Sequence, residues 1–222
     1  VNEKLKVWGF LGGISLLTIS VIYFISKPKK NKAFKKNLIK YTNEEFEAWN
    51  KNGVKIKEGS QDTIQRLRDY WEKGAGVKYN DNHYINEPWS ASFISYIMRK
   101  AGAGNDFKYA QSHSQYIAQA VKNKKENNSK KFKAYKPNEV QVKVGDLVCY
   151  PRQSGVTYES SAGYKSHCDL ITNIKGNIAT GIGGNVSNSV SKKQYALKDG
   201  KIDKSKDTKD YGGIFTVIKN LK

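Results

Sequence analysis

The sequence predicts an α+β domain, with helices packed on an antiparallel sheet and one transmembrane helix ahead of it. Three observations carry this expectation. Beyond residue 42, apolar residues first recur at helical spacing. From residue 146 the period shortens to that of strands, and Lys175-Gly176 suits a tight hairpin turn between two of them. Helices followed by strands is the order of an α+β fold, whereas a parallel sheet alternates them. The third observation is Val7 to Ile25, a run without charge. At about 1.5 Å per helical residue it nearly spans a hydrocarbon core of about 30 Å.

The elements follow in order. Residues 1–26 form the anchor, with Trp8 at one end of the apolar run and Tyr23 and Phe24 at the other, where interfacial aromatics belong. The run ends Ile25-Ser26-Lys27-Pro28 without a small-x-small cleavage site, which argues for a retained anchor over a cleaved signal peptide. Lysines crowd its downstream side, so the positive-inside bias puts the remainder in the cytoplasm. Residues 27–41 read as a lysine-rich tether lying against anionic headgroups, and residues 42–222 as the folded domain. Thr42-Asn43-Glu44-Glu45 has the form of a capping box opening a short helix, with Phe46 and Trp49 on one face and Gly53 at its end. Ser60 opens a second helix carrying Ile64, Leu67, Tyr70 and Trp71, stopped by Gly74 and Gly76. Pro88 introduces a strongly apolar helix over Trp89 to Ala101, closed by Gly102. A further helix covers Ser114 to Val121, and residues 122–133 read as an exposed, charged loop. Strands are expected at Asp146–Tyr150, Cys168–Ile174, Asn177–Ile182 and Gly213–Ile218. Trp49, Trp71 and Trp89 belong to the core.

Composition narrows the function classes. Lys+Arg is 39 against Asp+Glu 20, a net charge of +19 that attracts nucleic acid, anionic lipid or acidic wall polymers. With 14 Tyr, 8 Phe and 4 Trp, a disordered polyelectrolyte is excluded. Two cysteines exclude a disulfide scaffold and a four-thiolate zinc finger. The aromatics follow amphipathic periods and do not interleave with basic residues, which argues against a nucleic-acid surface.

Three polar positions stand out. Ser90 lies in the first turn of the apolar helix, beside free backbone N–H groups and the positive end of the dipole. His167 starts a strand, and Asn185 follows Gly183-Gly184 just past the next one. Pairing of those strands as a hairpin would bring His167 and Asn185 to the same end of the sheet. Asp169 shares a face with His167 and is the alternative partner for its imidazole. His113 precedes a helix, where a cap or a surface group is the usual reading. A zinc site of His113, His167 and Asp169 matches no common ligand spacing. Cys149 and Cys168 read as buried strand residues, with a cross-strand disulfide as the alternative.

The sequences Pro88-Trp89-Ser90-Ala91-Ser92-Phe93-Ile94-Ser95, Gly145-Asp146-Leu147-Val148-Cys149, His167-Cys168-Asp169-Leu170 and Gly183-Gly184-Asn185-Val186 occur in the order found in the bacterial family DUF2272. Over residues 43–219 the chain resembles that family, which looks like a branch of the NlpC/P60 and CHAP papain-like peptidases and amidases. The resemblance implies a papain-like fold with a nucleophile at a helix start, a histidine on the adjoining sheet and a polar residue orienting it. It extends to His113. Such enzymes carry Cys where this chain has Ser90, and a hydroxyl is too weak an acid to ionise at a helix terminus. Ser90 would need His167 as general base, with Asn185 or Asp169 holding the imidazole and helix N–H groups as oxyanion donors. The implied function is a membrane-anchored hydrolase of peptidoglycan amide bonds that uses no cofactor, a design that would suit a phage lysis or entry factor. Two other readings stand beside it: a catalytically silent wall- or partner-binding module, and a membrane-bound basic protein contacting nucleic acid.

Overall fold

A computed structural model describes residues 31–222. The expected transmembrane run at residues 7–25 lies outside the described residues, among which no helix is long and apolar enough to cross a membrane.

Helix α1 occupies residues 31–48, so residues 31–41 are helical where a tether is expected, and Thr42 is mid-helix and caps nothing. Its buried positions are Phe34, Leu38, Thr42, Glu45 and, just beyond the helix, Trp49, a stripe at i, i+3 and i+4 spacing. Two of the five are polar, which hides the period in the sequence. Both are satisfied: the Thr42 hydroxyl donates to the Leu38 carbonyl at 2.7 Å, and the Glu45 carboxylate accepts from Arg66 at 2.9 Å and from the Tyr70 hydroxyl. A two-stranded ribbon follows (β1 Asn50–Lys51, β2 Val54–Lys55).

Helix α2 (Gln61–Asp69) starts after Ser60, as its sequence suggests, and runs on into a π-helical turn over Tyr70–Ala75 that ends at left-handed Gly76. Within that turn a Cβ on Gly74 would lie 2.6 Å from the Ser92 carbonyl oxygen, so only glycine lets the helix carrying Ser92 approach so closely. Short α3 (Asp81–Asn86) leads to α4 (Ser90–Ala101), which ends at Gly102. Helix α5 (His113–Lys125) is longer at both ends than the expected 114–121. It takes up the start of the supposed loop, and β3 (Phe132–Tyr135) takes up its end.

The remaining strands are β4 (Leu147–Pro151), β5 (Ser166–Lys175), β6 (Ile178–Gly183), β7 (Ser191–Lys198), β8 (Lys201–Ile202) and β9 (Thr216–Asn220). They join β3 in one antiparallel sheet of order β3-β9-β4-β5-β6-β7-β8. The β5–β6 hairpin turns at Gly176, as expected. Strands β3, β7 and β8 have no counterpart in the sequence reading, because lysines occupy their outward positions and mask the alternation.

The sheet is buried on both faces. Leu147, Cys149, Cys168, Leu170 and Ile182 join the helices in the larger core, while Val148, Tyr150, Ile171, Tyr195 and Val217 form a second cluster on the opposite face. Trp49, Trp71 and Trp89 are all in the larger core. Cys149 and Cys168 are directly paired across β4 and β5 and form a disulfide. Closing a loop between residues 19 apart in sequence restricts the unfolded chain by about 3 kcal/mol. Replacing both cysteines by alanine should therefore lower stability by about 2–4 kcal/mol, read as a reduced thermal midpoint. Reductant should lower the parent's midpoint and leave the double variant's unchanged.

Candidate active site

The start of α4 is held by aromatic packing. Trp89 is fully buried, stacked on Trp49 at 4.9 Å and on Tyr70 at 5.6 Å, and its indole N–H donates to Glu58. Against the other side comes the loop after β6, where a Cβ on Gly184 would lie 2.6 Å from Phe93 Cγ and 2.8 Å from Trp89 Cζ3. The first residue of α4 is thereby brought to one end of the sheet. The first intrahelical bond is donated by the Phe93 N–H, leaving the amides of Ser90, Ala91 and Ser92 without helical acceptors.

One turn along the same helix, the Ser95 hydroxyl donates to the Ala110 carbonyl at 2.8 Å and accepts from the Ala110 N–H at 3.0 Å. That clamp fixes the segment leading into α5 and delivers His113, the first residue of α5, to Ser90. The Ser90 Oγ and His113 Nε2 are 2.7 Å apart. The other ring nitrogen, Nδ1, is hydrogen-bonded to the hydroxyl of Tyr116, one turn further along α5. With the proton on Nδ1, the imidazole donates to Tyr116 and Nε2 accepts the serine proton; in the opposite tautomer Nε2 donates to Ser90.

His167 is on β5, its ring 5.2 Å from that of His113. Its Nε2 is 2.8 Å from Asp169 Oδ1, two residues along the same strand and on the same face. A carboxylate at Nε2 fixes the proton there and leaves Nδ1 as the basic nitrogen. Asp169 also accepts from the Tyr195 hydroxyl and has Lys193 Nζ at 3.8 Å. Glycine is required beside this pair: a Cβ on Gly183 would overlap Asp169 Oδ1 and lie 2.7 Å from His167 Nε2.

All five residues singled out from the sequence are at this end of the sheet, but their pairings differ from expectation. His113 bonds Ser90, the part expected of His167. Asp169 holds His167, the part expected first of Asn185. Asn185, in a left-handed conformation at φ +53°, lines the same cleft as Ser90, His113 and His167. The cleft has a volume of about 1020 Å³. The sequence reading missed Tyr116 and Ser95, although each has a signal: Tyr116 is three residues after His113 on a helix, and Ser95 interrupts an apolar run.

The electrostatics are those of a buried polar cluster. Burial pushes His113 well below its ordinary value, and the neighbouring His167 and Arg152 push the same way against Asp169. Burial also lowers His167, although Asp169 opposes the shift. Burial opposes ionisation of Asp169 too, but His167, Lys193 and the Tyr195 hydroxyl outweigh it and hold the group below the usual carboxylate range. At neutral pH the cluster is therefore two neutral imidazoles beside one carboxylate.

Two predictions follow from this geometry. A histidine whose pKa is lower in the folded than in the unfolded chain stabilises the fold above the unfolded value and loses that contribution as pH falls. The thermal midpoint should thus decline as pH drops from about 6.5 toward 5.5, before most carboxylates protonate; a flat profile there would count against neutral buried imidazoles. Gly183→Ala should push Asp169 off His167 and cost about 1–3 kcal/mol, measured by denaturant unfolding.

No curated protein and no solved structure matches the chain. The family described as "Uncharacterized protein conserved in bacteria (DUF2272)" matches residues 45–212, a span that takes in α4, His113, His167 and Asn185. The chain belongs to the DUF2272 family.

Proposed function

We propose that the protein is a hydrolase cutting amide bonds in the peptide stems of peptidoglycan, with a papain-like arrangement in which serine replaces the nucleophilic thiol. The observation that carries this reading is the 2.7 Å contact between Ser90 Oγ and His113 Nε2 at the start of a helix that opens onto a cleft. Ser90 gives its proton to His113 as its oxygen attacks the carbonyl carbon. The oxyanion develops beside the free amides of Ala91 and Ser92. His113 then returns the proton to the departing amine, the C–N bond breaks, and an acyl ester remains on Ser90. Water, deprotonated by the same imidazole, hydrolyses that ester and restores the serine. The imidazolium formed on His113 is supported by the negative charge of Asp169, 2.8 Å behind His167, a role for His167 and Asp169 as positioning and charge-balancing residues.

The Cys149–Cys168 disulfide supports an oxidising compartment, the side of a membrane on which wall polymer is found, against the positive-inside expectation. The positive charge of the chain favours association with an acidic wall.

Digestion of purified peptidoglycan by the full chain tests the reading. Ser90→Ala should reduce fragment release by at least about 10³-fold and His113→Ala by about 10²–10⁴-fold, with both variants folded. Because His113 is neutral well into the acid range, kcat/KM should hold steady from pH 8 to about 6.5 and fall only below that. Release by Ser90→Cys alone would mean an intact site with an incompetent hydroxyl. Release by neither the parent nor any of these variants would overturn the hydrolase reading in favour of a wall-binding module.

A further inference from the structure

The connection from β8 to β9, residues 203–215, passes the four strands that lie between them in the sheet and meets the cleft at Asp210 and Tyr211. Its course is fixed on both sides of that tip. Lys204 Nζ donates to the Gly212 and Ile214 carbonyls, each at 2.9 Å, and to Asp207 Oδ2 at 3.1 Å. The same carboxylate accepts the backbone N–H groups of Lys209 and Ile214. Lys209 Nζ lies over the rings of Tyr150 and Tyr195, at 5.2 and 5.6 Å, and the Tyr150 ring is 5.3 Å from that of His167. The tip is thereby tied to the strands that carry the polar cluster.

At the tip three successive residues are left-handed: Tyr211, Gly212 and Gly213, at φ +56°, +87° and +77°. Glycine adopts that region freely, whereas a bulky side chain there is strained. The other non-glycine residues described with positive φ are asparagine, aspartate or serine, which tolerate it better. The tyrosine gains no burial in exchange. It is 55% exposed, and of the exposed large apolar side chains described it is the one that lines the cleft. A strained ring held in solvent by a well-braced loop does nothing for the fold, and strain of this kind collects at ligand clamps.

The groups sharing the cleft with the ring indicate what it clamps. Gln111, Gln115, Ser112 and Asn185 are neutral amides and a hydroxyl. The Gln111 Oε1 accepts from the Tyr79 hydroxyl at 3.1 Å, which leaves its amide nitrogen as the donor. One exposed aromatic face beside neutral donors and acceptors suits a pyranose: the C–H face of the sugar packs on the ring and its hydroxyls bond the amides. A peptide backbone offers the amides equal partners but has no such flat face for the tyrosine.

We propose that Tyr211 is the stacking platform of a sugar subsite, which holds a pyranose ring of the glycan strand so that the attached peptide extends toward Ser90. The orientation toward Ser90 rests on the hydrolase reading; the sugar preference is measured without turnover.

The probes are a soluble muropeptide and the same peptide without its sugars. Binding of each to the full chain carrying Ser90→Ala is measured by titration calorimetry, alone and combined with Tyr211→Phe or Tyr211→Gly. The muropeptide should bind about three- to tenfold more tightly than the bare peptide. Tyr211→Phe should keep that preference. Tyr211→Gly should abolish it, leave the peptide's own affinity unchanged and hold or raise the thermal midpoint, because glycine removes the strain. Equal binding of the two probes, binding of neither, a preference that survives Tyr211→Gly, or a midpoint that falls in that variant would overturn the platform. A preference in a chain whose Ser90 parent releases nothing from peptidoglycan would leave the platform standing and remove the hydrolase reading. Hydrolysis without a preference would do the reverse.

Discussion

The stacking of Trp89 on Trp49 and Tyr70, with Gly184 pressed against Trp89 and Phe93, is the constraint on which the cleft depends. It sets where α4 begins relative to the sheet, and every other placement at the site is measured from that point. Ser90 follows Trp89 directly. The Ser95 clamp positions His113 from the same helix, and the loop that supplies Gly184 supplies Asn185 next. A large side chain at 184 would separate helix from sheet and part Ser90 from His167 without altering a polar residue. The chemistry of the cleft is thus held by apolar contacts, which lose little to solvent competition and cannot be exchanged for water.

The polar cluster built on this platform pairs opposite tendencies. Two buried imidazoles repel a second positive charge, and a buried carboxylate nearby tolerates one. A first proton entering the cluster therefore meets the cost of burial, offset in part by Asp169, and a second would also meet the repulsion of the first. Such an arrangement suits a reaction that stores a single proton between nucleophilic attack and departure of the leaving group. The hydrogen bonds from Tyr195 to Asp169 and between Tyr116 and His113 keep the two rings from pairing with the wrong partner.

Much of this was legible in the sequence, and the failures have physical causes. The α+β order, the limits of α4, the β5–β6 hairpin and the group of Ser90, His113, His167, Asp169 and Asn185 could all be read from periods, turns and short motifs. Which imidazole meets Ser90 could not. That choice depends on Ser95 gripping Ala110; a polar residue in an apolar run marks Ser95 but does not name a partner 15 residues away. Residues 31–41 of α1 were read as a tether because Thr42 and Glu45 occupy the buried stripe they begin, and the hydrogen bonds that make them tolerable come from Leu38, Arg66 and Tyr70. Lysines at outward positions concealed β3 and β7 in the same way.

Helix α1 has a mechanical meaning. Phe34 and Leu38 lock it into the core, so the segment entering the domain is a stiff rod seated in the body. Residue 31 is thereby held at a fixed distance and bearing from the cleft, because the packing of Phe34 and Leu38 sets the direction in which the chain enters the domain. Lengthening the rod by whole turns would carry residue 31 about 5.4 Å further from the body for each one while preserving its bearing.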